Sequence, residues 1–142
     1  GGQAMDDISK TILRGADKVL LVAGLSLPCL INVKKLLKIF RDLGYPPEPW
    51  VEVVINRFDK RSVITLREAE QSTGKKVFWA VPNDFNATMS AINQGKPLSM
   101  VEPGAEVTEA IAEMAAALAG RQTGGGREKE KERRAFLGLK LY

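Results

Sequence analysis

Two apolar segments of the chain end on polar residues that could bind a ligand. The first ends at Asn56 and Arg57, and the second ends at Pro82, Asn83 and Asp84. In an open α/β sheet, ligands bind outside the carboxyl ends of parallel strands, so both ends are candidate sites. An asparagine amide offers a donor beside an acceptor, which matches the edge of an adenine ring. Turn chemistry explains the same residues, because Asn, Asp and Pro also terminate strands.

The elements that would position these residues follow from the apolar pattern and the capping residues. Continuous apolar segments predict buried strands at 18–23, 50–56 and 76–81. Capping residues and terminal glycines predict helices at about 6–15, 26–44, 65–74, 86–94 and 105–118. Buried, non-alternating strands separated by helices indicate an α/β fold with a parallel sheet and right-handed crossovers.

The predicted sheet has only three strands, and the last predicted helix follows them. That helix has one apolar face, formed by Val107, Ile111, Met114 and Leu118. Gly120 is expected to end it. Because a buried parallel strand needs neighbours on both sides, we interpret residues 6–120 as the C-terminal part of a larger α/β domain. Residues 1–5 are then a cloning remnant or the edge of a truncation.

Composition excludes several classes of chemistry. The chain has 142 residues, no histidine and one cysteine, Cys29. Ser-His-Asp catalysis and most zinc sites are therefore excluded, and no internal disulfide can form. Cys29 is expected to be a core thiol, because no histidine is present to activate it. With a single cysteine, a reducing cytoplasm is the expected location. The chain has no apolar run of about 18 residues, and its N-terminus lacks the basic-then-apolar order of a signal peptide.

The net charge of +4 belongs entirely to the C-terminal segment. Residues 121–142 hold seven basic and three acidic residues, which leaves the rest of the chain neutral. A flexible, solvated basic tail is one interpretation of this segment. The other is a membrane anchor at residues 127–142, in which a basic stretch precedes an apolar one and meets an anionic membrane surface. The neutral body argues against nucleic acid as a partner.

The known phosphate-binding motifs are absent from the sequence. A P-loop needs Gly-x-x-x-x-Gly-Lys-Ser/Thr, and the two Gly-Lys pairs, at Gly74 and Gly95, do not fit it. Both glycines follow predicted helices, where glycine serves as a C-terminal cap. No Gly-x-Gly-x-x-Gly occurs either.

Several segments in order resemble the C-terminal half of MinD/ParA-superfamily ATPases, over roughly residues 6–119. They are residues 16–22, Leu27-Pro28, and residues 54–62, 81–84 and 91–98. The strings Asn-Arg-Phe-Asp-Lys-Arg-Ser at 56–62 and Ile-Asn-x-Gly-x-Pro-Leu at 92–98 look most like the CpaE/TadZ group, which helps assemble Flp pili. The resemblance implies a deviant Walker, P-loop NTPase-like fold in which the two strand ends embrace the nucleotide base.

By position, the resemblance implies a role for each polar residue at the two ends. Asn56 would read the adenine edge of ATP, while Pro82 and Asn83 would pack against the base and contact it through their backbone. Asp84 would face the base or the ribose. Arg57 is a weaker candidate, because it could instead pair with Asp59 or Asp84. The phosphate loop and the Mg²⁺ ligands would lie upstream of residue 1, so this chain alone is not expected to hydrolyse ATP. Whether the intact parent hydrolyses ATP stays open.

The resemblance also implies a cellular role. It is that of an ATP-binding scaffold for pilus assembly, which forms a homodimer in the intact parent and binds pilus-assembly and secretion proteins. Such a factor would be cytoplasmic and peripheral at the inner membrane. Two alternatives remain: a non-catalytic interaction module of the same fold, and a ParA-like partitioning relative, which the neutral body disfavours.

Overall fold

The computed structural model describes residues 18–121 of the chain. In this range it contains three strands, β1 (Val19–Ala23), β2 (Val51–Phe58) and β3 (Val77–Pro82). It also contains five α-helices, α1 (Leu27–Leu43), α2 (Leu66–Thr73), α3 (Phe85–Gln94), α4 (Leu98–Val101) and α5 (Glu106–Arg121). A short 3₁₀ helix, Glu48–Trp50, precedes β2. The predicted α/β alternation is confirmed, with α4 as a helix that the pattern did not predict.

The three strands form one parallel sheet in the order β1-β2-β3. In β1, Val22 lies opposite Val54 of β2, and Ile55 lies opposite Ala80 of β3. The predicted parallel sheet is therefore confirmed. All three carboxyl ends point to one edge, called here the carboxyl edge, and all three amino ends point to the opposite one, the amino edge.

Local capping signals account for the helix boundaries. The Ser26 hydroxyl accepts a hydrogen bond from the Cys29 N–H at 3.4 Å, and the Thr65 hydroxyl accepts one from the Glu68 N–H at 3.1 Å. Gly44 ends α1 at a φ of 68°, a left-handed conformation that only glycine adopts without steric cost. The predicted beginnings and ends of α1 and α2 are confirmed.

Helices cover both faces of the sheet. One core cluster joins α1 and α2 to the sheet and includes Leu30 and Ile55, which are almost completely buried. The second contains Phe78, Trp79 and Val107 and packs α5 and α3 on the other face. Phe78 and Trp79 are consecutive yet share this cluster, because the register between β2 and β3 shifts there and interrupts the alternation of side chains.

Three of the sequence-based expectations are wrong. β1 is not fully buried: within the described residues it pairs only with β2, and Val22 is 60% exposed. Ile111 belongs to the predicted apolar face of α5 yet is 41% exposed. Gly120 does not end α5, which continues to Arg121, because Gly120 keeps a helical φ while Gly44, Gly74 and Gly95 adopt positive ones.

Several predictions fall outside the described residues. They are the cloning remnant at 1–5, the helix at 6–15 and both interpretations of the tail, including the membrane anchor at 127–142. Among residues 18–121, no helix combines the length and the apolar character needed to cross a membrane.

Candidate functional site

β2 has an irregular carboxyl end. From Ile55 to Phe58 the strand advances three residues while β3 advances only two, from Ala80 to Pro82. The extra residue makes a β-bulge, and Arg57 within it has a φ of 53°. An L-residue in this left-handed region costs about 1–2 kcal/mol. The strand therefore continues through the polar pair instead of stopping at residue 56 as the sequence predicts, and the bulge redirects its side chains.

Asn56 stabilises the bulge through its side chain. Its Oδ1 accepts a hydrogen bond from the backbone N–H of Arg57 at 2.9 Å. A carbonyl oxygen has two lone pairs, so one remains available, and no residue in the range 18–121 accepts a hydrogen bond from the Nδ2 group. The donor and acceptor that would read a purine edge are therefore still present, and the acceptor is held in place by the backbone.

An open cleft of about 510 Å³ lies at the carboxyl edge, beside the ends of β1 and β2. Its volume falls within the range of roughly 300–1,000 Å³ that is common for small-molecule sites. The lining residues come from the segment after β1 and from the end of β2 with its following turn: Gly24, Leu25, Asn56, Arg57, Asp59, Arg61 and Ser62. The predicted position of the site, outside the carboxyl ends of parallel strands, is where the cleft lies.

The carboxylate in the cleft is bound by a neighbouring arginine. Asp59 accepts hydrogen bonds from the Arg61 backbone N–H at 2.8 Å and from two guanidinium nitrogens of Arg61 at 3.2 and 3.1 Å. These contacts lower the pKa of the Asp59 carboxyl and raise the pKa of Arg61. The Ser62 N–H donates to the Asp59 carbonyl at 3.0 Å and closes the turn. Among the described residues, Asp59 thus pairs with Arg61 and not with Arg57.

The second predicted strand end has a structural role beside the cleft. The Asp84 carboxylate accepts a hydrogen bond from the Ala87 N–H at 3.0 Å and so caps α3. The Asn83 N–H donates to the Phe58 carbonyl at 2.9 Å, which ties the ends of β2 and β3 together. The structure thus brings Asn56 and Arg57 into the cleft and places Pro82, Asn83 and Asp84 next to β2, outside the residues that line it.

Arg57 lines the cleft without a partner among the described residues, whereas the sequence made it the weaker candidate. The alternative that Arg57 pairs with Asp59 or Asp84 is not what the described residues show, because Asp59 pairs with Arg61 and Asp84 caps α3. Within residues 18–121, the Arg57 guanidinium has neither an ion pair nor a hydrogen bond. The other lining residues are not among the predicted site residues. Gly24 and Leu25 follow the end of β1, and Asp59, Arg61 and Ser62 follow the end of β2 at the same edge.

Cys29 lies close to this edge but packs into the core. It is in the first turn of α1 and contacts the core cluster between α1, α2 and the sheet, as predicted for a core thiol. Hydrogen bonds from the Ser26 hydroxyl and from the Gly24 backbone lower the pKa of the thiol. Residues 18–121 contain no group of three or more His, Cys, Asp or Glu side chains that could hold a metal ion.

Solved structures with the same fold identify the fold family. A ParA family ATPase from Chlorobium tepidum superposes with a TM-score of 0.73 at 26% sequence identity, over 80% of this chain and 47% of that one. MinD in the MinC:MinD cell division complex of Aquifex aeolicus gives a TM-score of 0.68 at 16% identity, over 82% of this chain and 48% of that one. This chain has the MinD/ParA ATPase fold.

A third MinD/ParA structure extends the comparison to a nucleotide complex. The septum site-determining protein MinD from Pyrococcus horikoshii, solved with Mg-ADP, gives a TM-score of 0.66 at 16% identity, over 85% of this chain and 48% of that one. The chain thus spans about half the length of the MinD/ParA structures it matches. No protein-family model and no curated protein sequence matches it. The predicted fold class is confirmed, whereas the C-terminal-half and CpaE/TadZ assignments stay predictions.

Proposed function

We propose that this chain carries the base-binding part of a MinD/ParA-type ATP site. One observation supports this most: the cleft at the carboxyl edge contains Asn56 with both Nδ2 donors available, in a fold shared with known ATPases. Nδ2 would donate to a ring nitrogen of adenine, and the second lone pair of Oδ1 would accept from the exocyclic amine. Guanine presents a carbonyl in place of that amine, so the same pair would disfavour it.

The neighbouring strand end would complete the contacts to the nucleoside. Pro82 and Asn83 lie beside β2, where their backbone can meet the face of a base. Asp84 uses one carboxylate oxygen to cap α3, which leaves Oδ2 for the base or a ribose hydroxyl. The described residues fit a base and a sugar. They offer neither a phosphate loop nor a metal-binding cluster, so the phosphate loop and the Mg²⁺ ligands would belong to another part of the intact parent.

At the cellular level, we propose a MinD/ParA-type positioning factor that acts in pilus assembly. The strings at residues 56–62 and 92–98, which resemble the CpaE/TadZ group, support the pilus role. The intact parent would be a nucleotide-binding homodimer that recruits pilus-assembly and secretion proteins. It would be cytoplasmic and held at the inner membrane through residues 127–142. The MinC complex of Aquifex MinD supports the idea of a protein partner.

Two other functions are candidates. An interaction module of the same fold, without catalysis, would show no nucleotide-dependent change in the amide signals of Asn56 or Asp84. A partitioning role is favoured by the 26% identity with the Chlorobium ParA family ATPase. Binding of the chain to DNA that falls steeply with salt would support partitioning.

Adenosine and guanosine distinguish base reading from non-specific contact. In titrations of the labelled full chain, adenosine should shift the side-chain amide signals of Asn56 and the backbone amide of Arg57, and guanosine should shift them less. Asn56→Asp is the most specific variant, because it keeps the acceptor for the Arg57 N–H and replaces the Nδ2 donors with a carboxylate oxygen. It should abolish the preference for adenosine.

A matched control separates the lost donors from the added charge. Asn93→Asp changes an exposed asparagine of α3, outside the lining of the cleft, and should leave adenosine binding unchanged. Equal responses to both nucleosides, or an Asn56→Asp variant that still prefers adenosine, would contradict the proposal.

The membrane contact needs its own test. Co-sedimentation with vesicles of anionic lipid should retain the full chain and lose it when residues 127–142 are deleted. Equal retention of both forms would remove the anchor from the proposal.

A further inference from the structure

The guanidinium of Arg57 is the charged group of the cleft that no described residue compensates. The lining contains two arginines and one carboxylate. The carboxylate, Asp59, is held by the backbone N–H and two guanidinium nitrogens of Arg61. This pair is neutral as a unit. Its formation leaves the cleft with one net positive charge, located at Arg57.

The backbone of Arg57 also sets this residue apart. Its φ of 53° places it in the left-handed region, and it is the one non-glycine residue of the described chain with a positive φ. Glycine would adopt this conformation without steric cost. Backbone strain of this kind concentrates at ligand sites, and bulges near such sites redirect a side chain. The Asn56 side chain holds the conformation by accepting the Arg57 N–H.

We propose that Arg57 forms an anion subsite of the cleft, which binds a phosphoryl group. A guanidinium presents its N–H donors in a planar fork that matches two oxygens of such a group. The phosphoryl group comes from a nucleotide or from free phosphate. The inference goes beyond base recognition, because it assigns the bulge a purpose: Asn56 fixes the backbone, and Arg57 contributes the charge.

Inorganic phosphate tests the subsite without any base. At constant ionic strength, with chloride replaced by phosphate, the labelled full chain should show saturable shifts of the Arg57 backbone and Nε–H signals. Arg57→Met should lose these shifts, and Arg57→Lys should weaken them, because lysine keeps the charge without the fork. Arg41→Met removes the same charge from the last turn of α1, outside the cleft lining, and should change nothing.

A second variant distinguishes the loss of the phosphate site from the loss of the fold. Arg57→Gly fits the left-handed backbone and should fold at least as well as the natural chain, yet it should also lose the phosphate response. Phosphate shifts that persist in Arg57→Met and Arg57→Gly would overturn the subsite.

Nucleotides distinguish this inference from the proposed function. AMP should bind about tenfold more tightly than adenosine, as expected for one charge-assisted hydrogen bond, and Arg57→Met should reduce that ratio to near one. If adenosine binds but AMP gains nothing, the anion subsite is wrong and base reading stands. If phosphate binds and adenosine does not, base reading is wrong and the anion subsite stands.

Discussion

At the amino edge of the sheet, lysines are bound within the chain, whereas at the carboxyl edge the Arg57 guanidinium has no partner among the described residues. Lys18 Nζ donates to the Pro49 carbonyl at 2.9 Å, and Lys75 Nζ donates to the Glu48 carbonyl at 3.0 Å. Both lysines thereby fasten the 3₁₀ helix before β2 to the sheet. The charges of Lys18 and Lys75 at the amino edge contribute to the fold, while the charge of Arg57 at the carboxyl edge remains available to a ligand.

The backbone also differs between the edges. The register between β2 and β3 shifts near both of them, between Val53 and Val54 and between Ile55 and Phe58, but within the described residues only the shift at the carboxyl edge carries a positive φ, at Arg57. Strain and an uncompensated charge at one edge of a parallel sheet are typical of a binding site. We therefore expect substitutions at the amino edge to change the stability of the fold, and substitutions in the cleft to change ligand binding.

Lys75→Met should have the largest effect on stability. The Lys75 side chain is only 15% exposed, and its ammonium binds the Glu48 carbonyl and lies 3.8 Å from the Glu48 carboxylate. Methionine keeps the apolar length of the side chain but removes this charge-assisted hydrogen bond. We expect a loss of about 1.5 kcal/mol in the free energy of unfolding, measured by chemical denaturation.

The neighbouring lysine is the matched control. Lys76 is exposed, so Lys76→Met should change the free energy of unfolding by less than about 0.5 kcal/mol. Similar losses in both variants would contradict the role of Lys75 at the amino edge, because the effect would then come from net charge and not from the bond to Glu48.

Asp84→Ala should have the next largest effect, and it tests whether Asp84 stabilises the fold beside the cleft. The variant removes the cap of α3, so we expect a loss of about 1 kcal/mol by chemical denaturation. Asp84→Asn should retain most of that stability, because asparagine caps equally well. A loss this large with no change in adenosine binding would make Asp84 a purely structural residue.

Local features of the fold could be predicted from the sequence. The caps at Ser26 and Thr65 and the stop at Gly44 depend on residues within one turn, and all three predictions are confirmed. Asn56 and Arg57 were recognisable because polar residues end an apolar strand, and both line the cleft. Such signals need no knowledge of the neighbouring strands.

Features that depend on distant residues could not be predicted. The bulge at Arg57 arises from the register between β2 and β3, which are separated by α2, and no local pattern encodes that register. Likewise, hydropathy marks Val22 as apolar but does not reveal that β1 has one partner strand in the described sheet. The free guanidinium follows from the bulge and from the choice of Arg61 as the partner of Asp59.

Arg57→Gly should have a smaller effect on stability, of opposite sign, and measures the backbone strain at the carboxyl edge. Removal of the left-handed strain gains about 1–2 kcal/mol. The greater entropy of glycine in the unfolded chain costs about 0.5–1 kcal/mol. We expect a net gain of roughly 0.5 kcal/mol, measured by denaturation, together with the loss of phosphate binding. A destabilised variant would show that Arg57 contributes to the fold and would remove the contrast with Lys75.

The smallest expected effect concerns the pH dependence of the Asp59–Arg61 pair. Hydrogen bonds from Arg61 hold the pKa of Asp59 below its usual value of 3.8 in the folded chain. Because the folded pKa is the lower one, the pair contributes stability above pH 3.8 and loses it as the pH falls through the folded pKa. The carboxyl carbon shift of Asp59 should therefore titrate below 3.8, and in Arg61→Met it should return towards that value.

The same variant links this pair to the charge of the cleft. Arg61→Met removes the partner of Asp59, so the carboxylate becomes available to Arg57. The difference in melting temperature between the natural chain and Arg61→Met should be small at neutral pH and should shrink further below pH 3.8. Compared with the natural chain at the same pH, Arg61→Met should bind phosphate more weakly near neutral pH, because Asp59 then competes for the Arg57 guanidinium, and this difference should shrink when acid protonates the carboxylate. Unchanged phosphate binding would mean that the Asp59 carboxylate does not compete with phosphate for the Arg57 guanidinium.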